Sequence, residues 1–280
     1  MVLKFSSGRT LWAFAALSAI GRWVHANTSW GWGYSSTSTT STLYDISLVD
    51  GAGWVVGANN TRLRSLDGGR SWSAEPYDVS LGDCKGCAWH GVSFLQGGYG
   101  WVVGTSARIL HTSDGGGTWE AQASGVPDSA THNTATLLAV HAITASLAWA
   151  VGERGIVLRT EDGGSTWTPL QDLGQAAWET THQVWFEGTR GVGWAVGGDG
   201  GILQTSDIGQ SWVRLASCTE KALHDITVDF HSRFGFAVGS DGVICWSSDG
   251  GESFSSSLGS SDTSNGPSWY SVGVDNDGGS

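Results

Sequence analysis

The sequence predicts an all-β protein, a β-propeller built from four-stranded blades. A motif of the form [Ser/Thr]-x-Asp-x-Gly-x-[Ser/Thr]-aromatic occurs five times, and each copy follows an apolar cluster that ends in Val-Gly. The Val-Gly glycines are 47, 48, 45 and 42 residues apart, yet the motif aspartate always follows its glycine by ten residues. No amphipathic helical pattern interrupts these copies. A rigid internal spacing inside a looser outer period is typical of one repeated supersecondary unit with variable loops.

The first 26 residues predict a signal or targeting peptide. Lys4 and Arg9 precede an apolar run from Leu11 to Gly21, and Val24-His25-Ala26 suits the −3 and −1 positions of a cleavage site. The run is shorter than the roughly 20 apolar residues that a transmembrane helix needs. We therefore expect export from the cytosol without stable membrane insertion, by a secretory route or by a two-part plastid leader.

Blades follow a Ser/Thr-rich stretch, residues 27–42, that predicts a linker or an irregular outer strand. In each repeat, an alternating run predicts the inner strand, and the segment that ends in Val-Gly predicts the second strand. A short run before the motif predicts the third strand, and the fourth strand begins at the motif aromatic. The predicted propeller, residues 43–280, has five complete repeats and a partial sixth, at about residues 43–78, 89–123, 137–171, 181–216, 223–257 and 268–280. The ring is therefore expected to be either six-bladed, completed by residues 29–42, or an incomplete seven-bladed one.

The Asp motif predicts a structural turn rather than a catalytic centre. Its glycine supplies a positive φ, and its carboxylate accepts hydrogen bonds from the N–H groups of its own turn. The terminal tryptophan is expected in the seam between blades. Even distribution of the aspartates argues against a single catalytic site. The turn residues are Asp67, Asp114, Asp162, Asp207, Asp249, Trp72, Trp119, Trp167 and Trp212.

The charge and cysteine content restrict the kinds of partner and metal that the chain is expected to bind. The formal net charge is −12 and only three lysines occur, so nucleic-acid binding is not expected. Cys84 and Cys87 form one CxxC motif without a second ligand pair, which favours a local disulfide or free thiols over a metal site. Cys218 and Cys245 can pair only if the fold brings them together. Sequons at Asn27 and Asn59 would be glycosylated in a eukaryotic secretory route. No cofactor or metal is predicted.

The repeat resembles a known family. The pattern Gly-Trp-Ala-Val-Gly…Ile-Leu-x-Thr-x-Asp-Gly-Gly-x-Thr-Trp, seen best in Gly193–Trp212 and Ala148–Trp167, is similar to the photosystem II stability/assembly factors of cyanobacteria and plastids. The resemblance covers about residues 43–274. It implies a lumenal, seven-bladed propeller that binds a photosystem II core-subunit precursor without catalysis, through a surface patch of arginines. The Asp turn alone also resembles the Asp box of sialidases and sortilin-type receptors.

Two rows of residues are candidate binding sites. One row consists of arginines at or near the position three residues before each turn aspartate. This acidic chain has few arginines from which to form a binding patch. The other row lies at the start of successive inner strands and predicts a polar aromatic surface for a peptide, glycan or metal, or else packing between blades. The first row comprises Arg62, Arg64, Arg108, Arg154 and Arg159, and the second Tyr44, His90, His182, His224 and Tyr270.

Function is expected to be protein binding or assembly, without catalysis. The alternative is a secreted glycan- or protein-binding propeller of the sialidase or sortilin type. A glycoside hydrolase is a further alternative, because Asp45 and Asp225 share one position on the inner strands and such enzymes need two facing carboxylates. Nucleophile, phosphate-loop and dinucleotide motifs do not occur. The oligomeric state is not predicted.

Overall fold

A computed structural model of the chain describes residues 39–81, 84–126, 135–170, 180–188, 190–229, 231–256 and 267–274, and the backbone of four strands that precede residue 36. The predicted sequon at Asn27 lies outside these residues. So do the last residues of the predicted third, fifth and sixth repeats, 171, 257 and 275–280. Statements below concern the described residues.

Five four-stranded antiparallel sheets follow the five predicted repeats, which confirms the predicted propeller fold class. We name them blade 1 to blade 5, and within each the strands pair in chain order. Blade 1 has Leu43–Val49 (β5), Ala52–Gly57 (β6), Arg62–Ser65 (β7) and Ser73–Ala74 (β8); blade 2 has Trp89–Phe94 (β9), Gly100–Gly104 (β10), Ile109–Thr112 (β11) and Glu120–Gln122 (β12). Blade 3 has Leu137–Ala142 (β13), Ala148–Gly152 (β14), Val157–Thr160 (β15) and Thr168–Pro169 (β16). Blade 4 has Thr181–Phe186 (β17), Gly193–Gly197 (β18), Ile202–Thr205 (β19) and Val213–Arg214 (β20); blade 5 has Leu223–Asp229 (β21), Phe234–Gly239 (β22), Ile244–Ser247 (β23) and Ser255–Ser256 (β24).

The remaining strands lie near the chain termini. Ser271–Val274 (β25) is the inner strand of the predicted sixth repeat, and it pairs with Thr10–Phe14 (β2), which pairs with Val2–Lys4 (β1). Ile20–Ala26 (β3) and Ser29–Ser35 (β4) form a two-stranded hairpin. Short 3-10 turns occupy Val79–Leu81, Thr105–Ala107, Gly198–Gly200 and Ser240–Gly242.

The chain forms two compact units. The first contains Leu17–Ala150 and Leu158–Pro169, which include blade 1, blade 2 and most of blade 3. The second contains Met1–Ala16, Val151–Val157 and Leu170–Ser280, which include blade 4, blade 5 and the sheet of β1, β2 and β25.

In blade 1 and blade 4, the tryptophan of the second strand packs in the seam with the following blade. In the first unit, Trp54 of β6 is buried with Trp89 and Val92 of blade 2, and its indole N–H donates to the carbonyl of Gly115 at 3.3 Å. In the second unit, Trp194 of β18 is buried against the inner strand of blade 5 and donates to the carbonyl of Gly251 at 2.8 Å. Burying a large aromatic ring and satisfying its N–H together fixes how adjacent blades pack.

The turn tryptophans behave less uniformly than the sequence predicts. Trp119 joins the first seam, edge-on to Trp54 with ring centroids 5.2 Å apart. Trp72, in contrast, packs with Leu43, Val55 and Leu63 of its own blade. The turn tryptophans therefore do not share one packing position, since Trp119 lies in a seam and Trp72 lies within its own blade.

Three of the Val-Gly glycines, Gly57, Gly104 and Gly239, allow a close backbone approach. A Cβ at Gly57 would overlap the carbonyl oxygen of Thr42, the residue before the inner strand, and a Cβ at Gly104 or Gly239 would meet the equivalent carbonyl. Only glycine leaves that space. This contact accounts for the glycine at the end of these three second strands.

The Asp turns are structural turns closed by hydrogen bonds to the aspartate, as predicted. In blade 2 the Thr112 hydroxyl donates to Oδ1 of Asp114 at 2.8 Å, the Thr118 N–H donates to Oδ1 at 2.9 Å, and the Thr118 hydroxyl donates to Oδ2 at 2.8 Å. The Thr118 N–H and hydroxyl lower the pKa of Asp114 to about 2. Gly115 and Gly116 have φ of 71° and 78°. The same hydroxyl-to-Oδ1 bond recurs at Asp67, Asp162, Asp207 and Asp249.

Candidate functional site

The candidate site is the row of aromatic and histidine side chains at the start of the inner strands. In β5 the pairing with β6 shifts between Leu43 and Asp45, so Tyr44 is an extra residue in the ladder. His182 and His224 occupy the same extra position in β17 and β21, and His90 does so in β9. A β-bulge re-aims the side chain of its extra residue. The row is therefore built by four equivalent bulges, a feature that the sequence pattern did not reveal.

In the first unit, Tyr44 and His90 stack. Their ring centroids are 4.7 Å apart and the rings are nearly parallel, at 16°. Tyr44 is 43% exposed and His90 is half-buried. The pair presents one accessible aromatic face with a phenol at its tip.

In the second unit, His224 stacks on Tyr270, and the His182 ring lies against His224 at a tilt of 48°. His182 and His224 have centroids 5.0 Å apart, and His224 and Tyr270 have centroids 4.9 Å apart at 22°. Nδ1 of His182 donates to the carbonyl of Leu223 at 2.8 Å, and Nε2 of His224 lies 3.0 Å from the Ser240 hydroxyl. Tyr270 is 54% exposed at the end of the stack. Hydrogen bonds hold the two imidazoles, so the exposed tyrosine sits on an ordered support.

His224, at the centre of this stack, is neutral near neutral pH. Burial, and secondarily the neighbouring His182, lowers the pKa of His224 to about 4. Aromatic rings with polar tips suit contact with a peptide or sugar, since they bury apolar area and keep polar groups in water.

Asp45 and Asp225, the acids considered for glycoside hydrolysis, link neighbouring inner strands. Oδ1 of Asp225 accepts from the Ile226 N–H and Oδ2 from the Val272 N–H, both at 2.8 Å. Asp45 makes the same pair of bonds to Ile46 and Val92, also at 2.8 Å. Burial raises the pKa of Asp225 to about 6 although these N–H groups favour its charged form. The carboxylate oxygens of Asp45 and Asp225 therefore link inner strands of neighbouring blades.

In blades 1 to 3, the residue three places before the turn aspartate packs on the second-strand tryptophan. The guanidinium of Arg64 lies 5.5 Å from the Trp54 ring centroid, and that of Arg159 lies 5.5 Å from Trp149. His111 is 4.7 Å from the Trp101 ring. These residues are paired across β-strands, as Arg64 with Trp54 and His111 with Trp101. The row thus supplies cation–π and ring contacts along the blades.

The other arginines of the predicted patch differ in exposure. Arg108 lies 4.1 Å above the Trp89 ring and donates to the Thr105 carbonyl at 2.9 Å, and buried Arg62 lies 5.7 Å from the same ring. Arg154 is exposed, at the turn between β14 and β15, with φ of 59°. An arginine patch therefore remains a prediction, with Arg154 as its accessible member.

All four cysteines form disulfides. Cys84–Cys87 closes the CxxC loop, with Cα atoms 5.4 Å apart. Cys218–Cys245 joins the segment before blade 5 to β23, with Cα atoms 6.0 Å apart. Within the described part of the chain, no three His, Cys, Asp or Glu side chains lie close enough to hold a metal ion, and no helix is long and apolar enough to cross a membrane.

Comparison with known proteins places the chain in a family. The family model described as photosynthesis system II assembly factor YCF48 matches residues 24–126, 87–176 and 126–217, which together span more than half of the chain. Comparison with curated proteins finds no match.

Solved structures share the fold. One described as YCF48 bound to D1 peptide is 23% identical, with a TM-score of 0.53, over 79% of this chain and 83% of that chain. YCF48 from Cyanidioschyzon merolae is 21% identical, with a TM-score of 0.61, over 79% and 73%. A GH74 enzyme from Niastella koreensis is 16% identical, with a TM-score of 0.58, over 91% of this chain but 36% of its own. The four-stranded blades, the Asp turns and the family match agree, and the chain is a β-propeller that belongs to the photosystem II assembly factor family typified by YCF48.

Proposed function

We propose that the chain is a non-enzymatic assembly factor that binds an extended segment of a photosystem II core-subunit precursor. The observation that carries this proposal is the family match over residues 24–217. A related propeller is described as bound to a D1 peptide, so a D1-type segment is the partner that we propose here. The compartment proposed with it is the thylakoid lumen, since the family acts on photosystem II.

The contact surface that we propose is the group of His182, His224 and Tyr270 in the second unit, and the Tyr44–His90 pair of the first unit is a separate candidate. Tyr44 and Tyr270 are 43% and 54% exposed while their neighbours in the stacks are half-buried. Tyrosines held in place lose little side-chain entropy on binding, and this is why they recur as interface anchors. A neutral His224 adds ring surface without the cost of burying a charge.

The test is binding of a synthetic D1 peptide to the full chain, measured by isothermal titration calorimetry. Tyr270→Ala and His224→Ala should each weaken binding about tenfold, the size typical of an interface anchor. Tyr77→Ala is the matched control, because Tyr77 is 59% exposed and lies outside the row. Equal affinity of all variants would remove the row from the contact surface, and absence of binding to the wild-type protein would refute the proposed partner.

Catalysis is tested separately. We propose that Asp45 and Asp225 hold adjacent inner strands together, and each already accepts two backbone hydrogen bonds. The pure protein should therefore release no sugar from sialosides or other glycan substrates. Hydrolysis that is lost in Asp225→Asn but kept in a surface variant would favour the glycosidase alternative.

Localisation of the full-length tagged protein distinguishes the photosynthetic function from the secreted alternative. We expect the protein in a thylakoid lumen fraction. Recovery in the culture medium, with glycan at Asn59, would favour the secreted glycan- or protein-binding propeller.

A further inference from the structure

The N-terminal strand occupies the place of a second blade strand. β2 pairs antiparallel with β25, so that Trp12 lies opposite Gly273 and Ala13 lies opposite Val272. In blade 1 the second strand pairs with the inner strand in the same sense, with Trp54 opposite Ser47 and Val55 opposite Ile46.

The aspartate links between blades establish that these registers are equivalent. Asp225 accepts the N–H of Val272 just as Asp45 accepts the N–H of Val92, so Val272 and Val92 occupy the same inner-strand position. The residue after Val92 is Ser93, which lies opposite Trp101. The residue after Val272 is Gly273, which lies opposite Trp12. Equivalent pairs in blade 4 and blade 5 are Trp185 with Trp194 and Thr227 with Phe236.

The sequence agrees with this placement. Trp12-Ala13-Phe14 has the aromatic–small–apolar order of Trp149-Ala150-Val151 and Trp194-Ala195-Val196 in blade 3 and blade 4. Those second strands are buried along their whole length. An apolar run such as Leu11–Gly21 is what a buried second strand needs, as well as what an export leader needs.

We infer that Thr10–Phe14 is the second strand of the sixth blade and remains part of the folded protein. Without it the inner strand β25 would be left with an unpaired edge. β25 directly follows Tyr270, the exposed end of the His182–His224–Tyr270 stack. The N-terminal strand therefore positions Tyr270. This last step rests on the proposed function, whereas the strand assignment does not.

Gly273 allows a selective test. The N–H of Val272 points to Asp225, and successive N–H groups of a strand point to opposite edges, so the N–H of Gly273 points to β2. A Cβ at Gly273 meets no atom within 4 Å, so a side chain fits. Gly273→Pro removes the donor toward β2, and Gly273→Ala keeps it as the matched control.

The measurement is amide hydrogen exchange of the full chain, read at residues 10–14 by mass spectrometry. These amides should be protected in the wild-type protein and in Gly273→Ala, and should exchange at least about tenfold faster in Gly273→Pro, because local opening sets the rate. Protection of β6 and β10 should stay unchanged in all three, which shows that the rest of the fold is intact. Unprotected amides at residues 10–14 in the wild-type protein would overturn the inference.

Two further readouts separate this inference from the proposed function. Intact mass of the protein isolated from its own cells should include residues 10–14, and a mature chain that starts at Asn27 would overturn the strand assignment. D1-peptide affinity should fall about tenfold in Gly273→Pro if Tyr270 is an interface anchor. A protein that binds no D1 peptide but keeps the exchange pattern would lose its proposed partner and retain its sixth-blade strand.

Discussion

Protonation of Asp225 is expected to make the folded protein more stable in mild acid. Burial raises its pKa from 3.8 to about 6, and the residue is 8% exposed. The folded state therefore binds a proton between these pH values that the unfolded chain releases. The stabilisation is fully present below pH 3.8 and is lost as the pH rises through about 6.

The magnitude follows from the size of the shift. A rise of roughly two pKa units at about 1.4 kcal/mol per unit gives about 3 kcal/mol across the window. The Asp225→Asn variant carries no titrating group at this position, but its amide nitrogen cannot accept the N–H of Val272. Losing that bond costs about 1–3 kcal/mol at every pH, so the informative quantity is the pH dependence and not the stability at one pH.

The assay is urea unfolding of wild-type protein and Asp225→Asn at pH 4, 5, 6 and 7. The difference in unfolding free energy should change by about 2–3 kcal/mol over this range, to the advantage of the variant at higher pH. Asp45→Asn is the control, since it breaks the same hydrogen bond at a half-exposed site. Parallel pH curves for wild type and Asp225→Asn would refute a buried carboxyl group with a raised pKa.

Two other perturbations test the turns and the covalent links. Ile208 has φ of 60° where the other Asp turns have glycine, so Ile208→Gly should stabilise the protein by about 0.5–1 kcal/mol in urea unfolding. The reverse change, Gly115→Ile, should destabilise it by at least about 1 kcal/mol, although a Cβ at Gly115 meets no atom within 4 Å. No effect in either variant would exclude backbone strain at this position. Replacing Cys218 and Cys245 by alanine should lower the free energy of unfolding by about 3–4 kcal/mol, because that disulfide spans 27 residues. Replacing Cys84 and Cys87 should lower it by about 2 kcal/mol, because that disulfide spans three. Equal losses from the two pairs would contradict stabilisation through loop entropy.

Blade architecture was predictable because its determinants are local. A fixed ten-residue spacing from glycine to aspartate covers one strand and one turn, so it survives any change in loop length. The repeat starts follow closely: the repeats predicted from about residues 43 and 181 begin with the strands Leu43–Val49 and Thr181–Phe186. The turn aspartates were assigned to structure for the same reason, since their hydrogen bonds close within five residues.

The roles of individual polar side chains were harder to predict. Asp45 and Asp225 share a position in the repeat, but whether they face a channel or a neighbouring strand depends on the bulge at Tyr44 and His224, which has no composition signal. Arg64 was considered for a surface patch, yet it lies across the strand from Trp54. A signal was available: in every repeat this row follows the second-strand aromatic by ten residues.

The same ambiguity applies to the N-terminal segment. Composition cannot separate an apolar leader from a second strand buried on both faces, because both consist of small and large apolar residues without period. Register can separate them. A leader has no reason to place an aromatic residue opposite Gly273, whereas a sixth blade requires one at that position, as Trp54 and Trp101 occupy it in their own sheets. The position of Trp12 therefore favours a strand that completes the blade beside Tyr270, and links the N-terminus of the chain to the proposed binding surface.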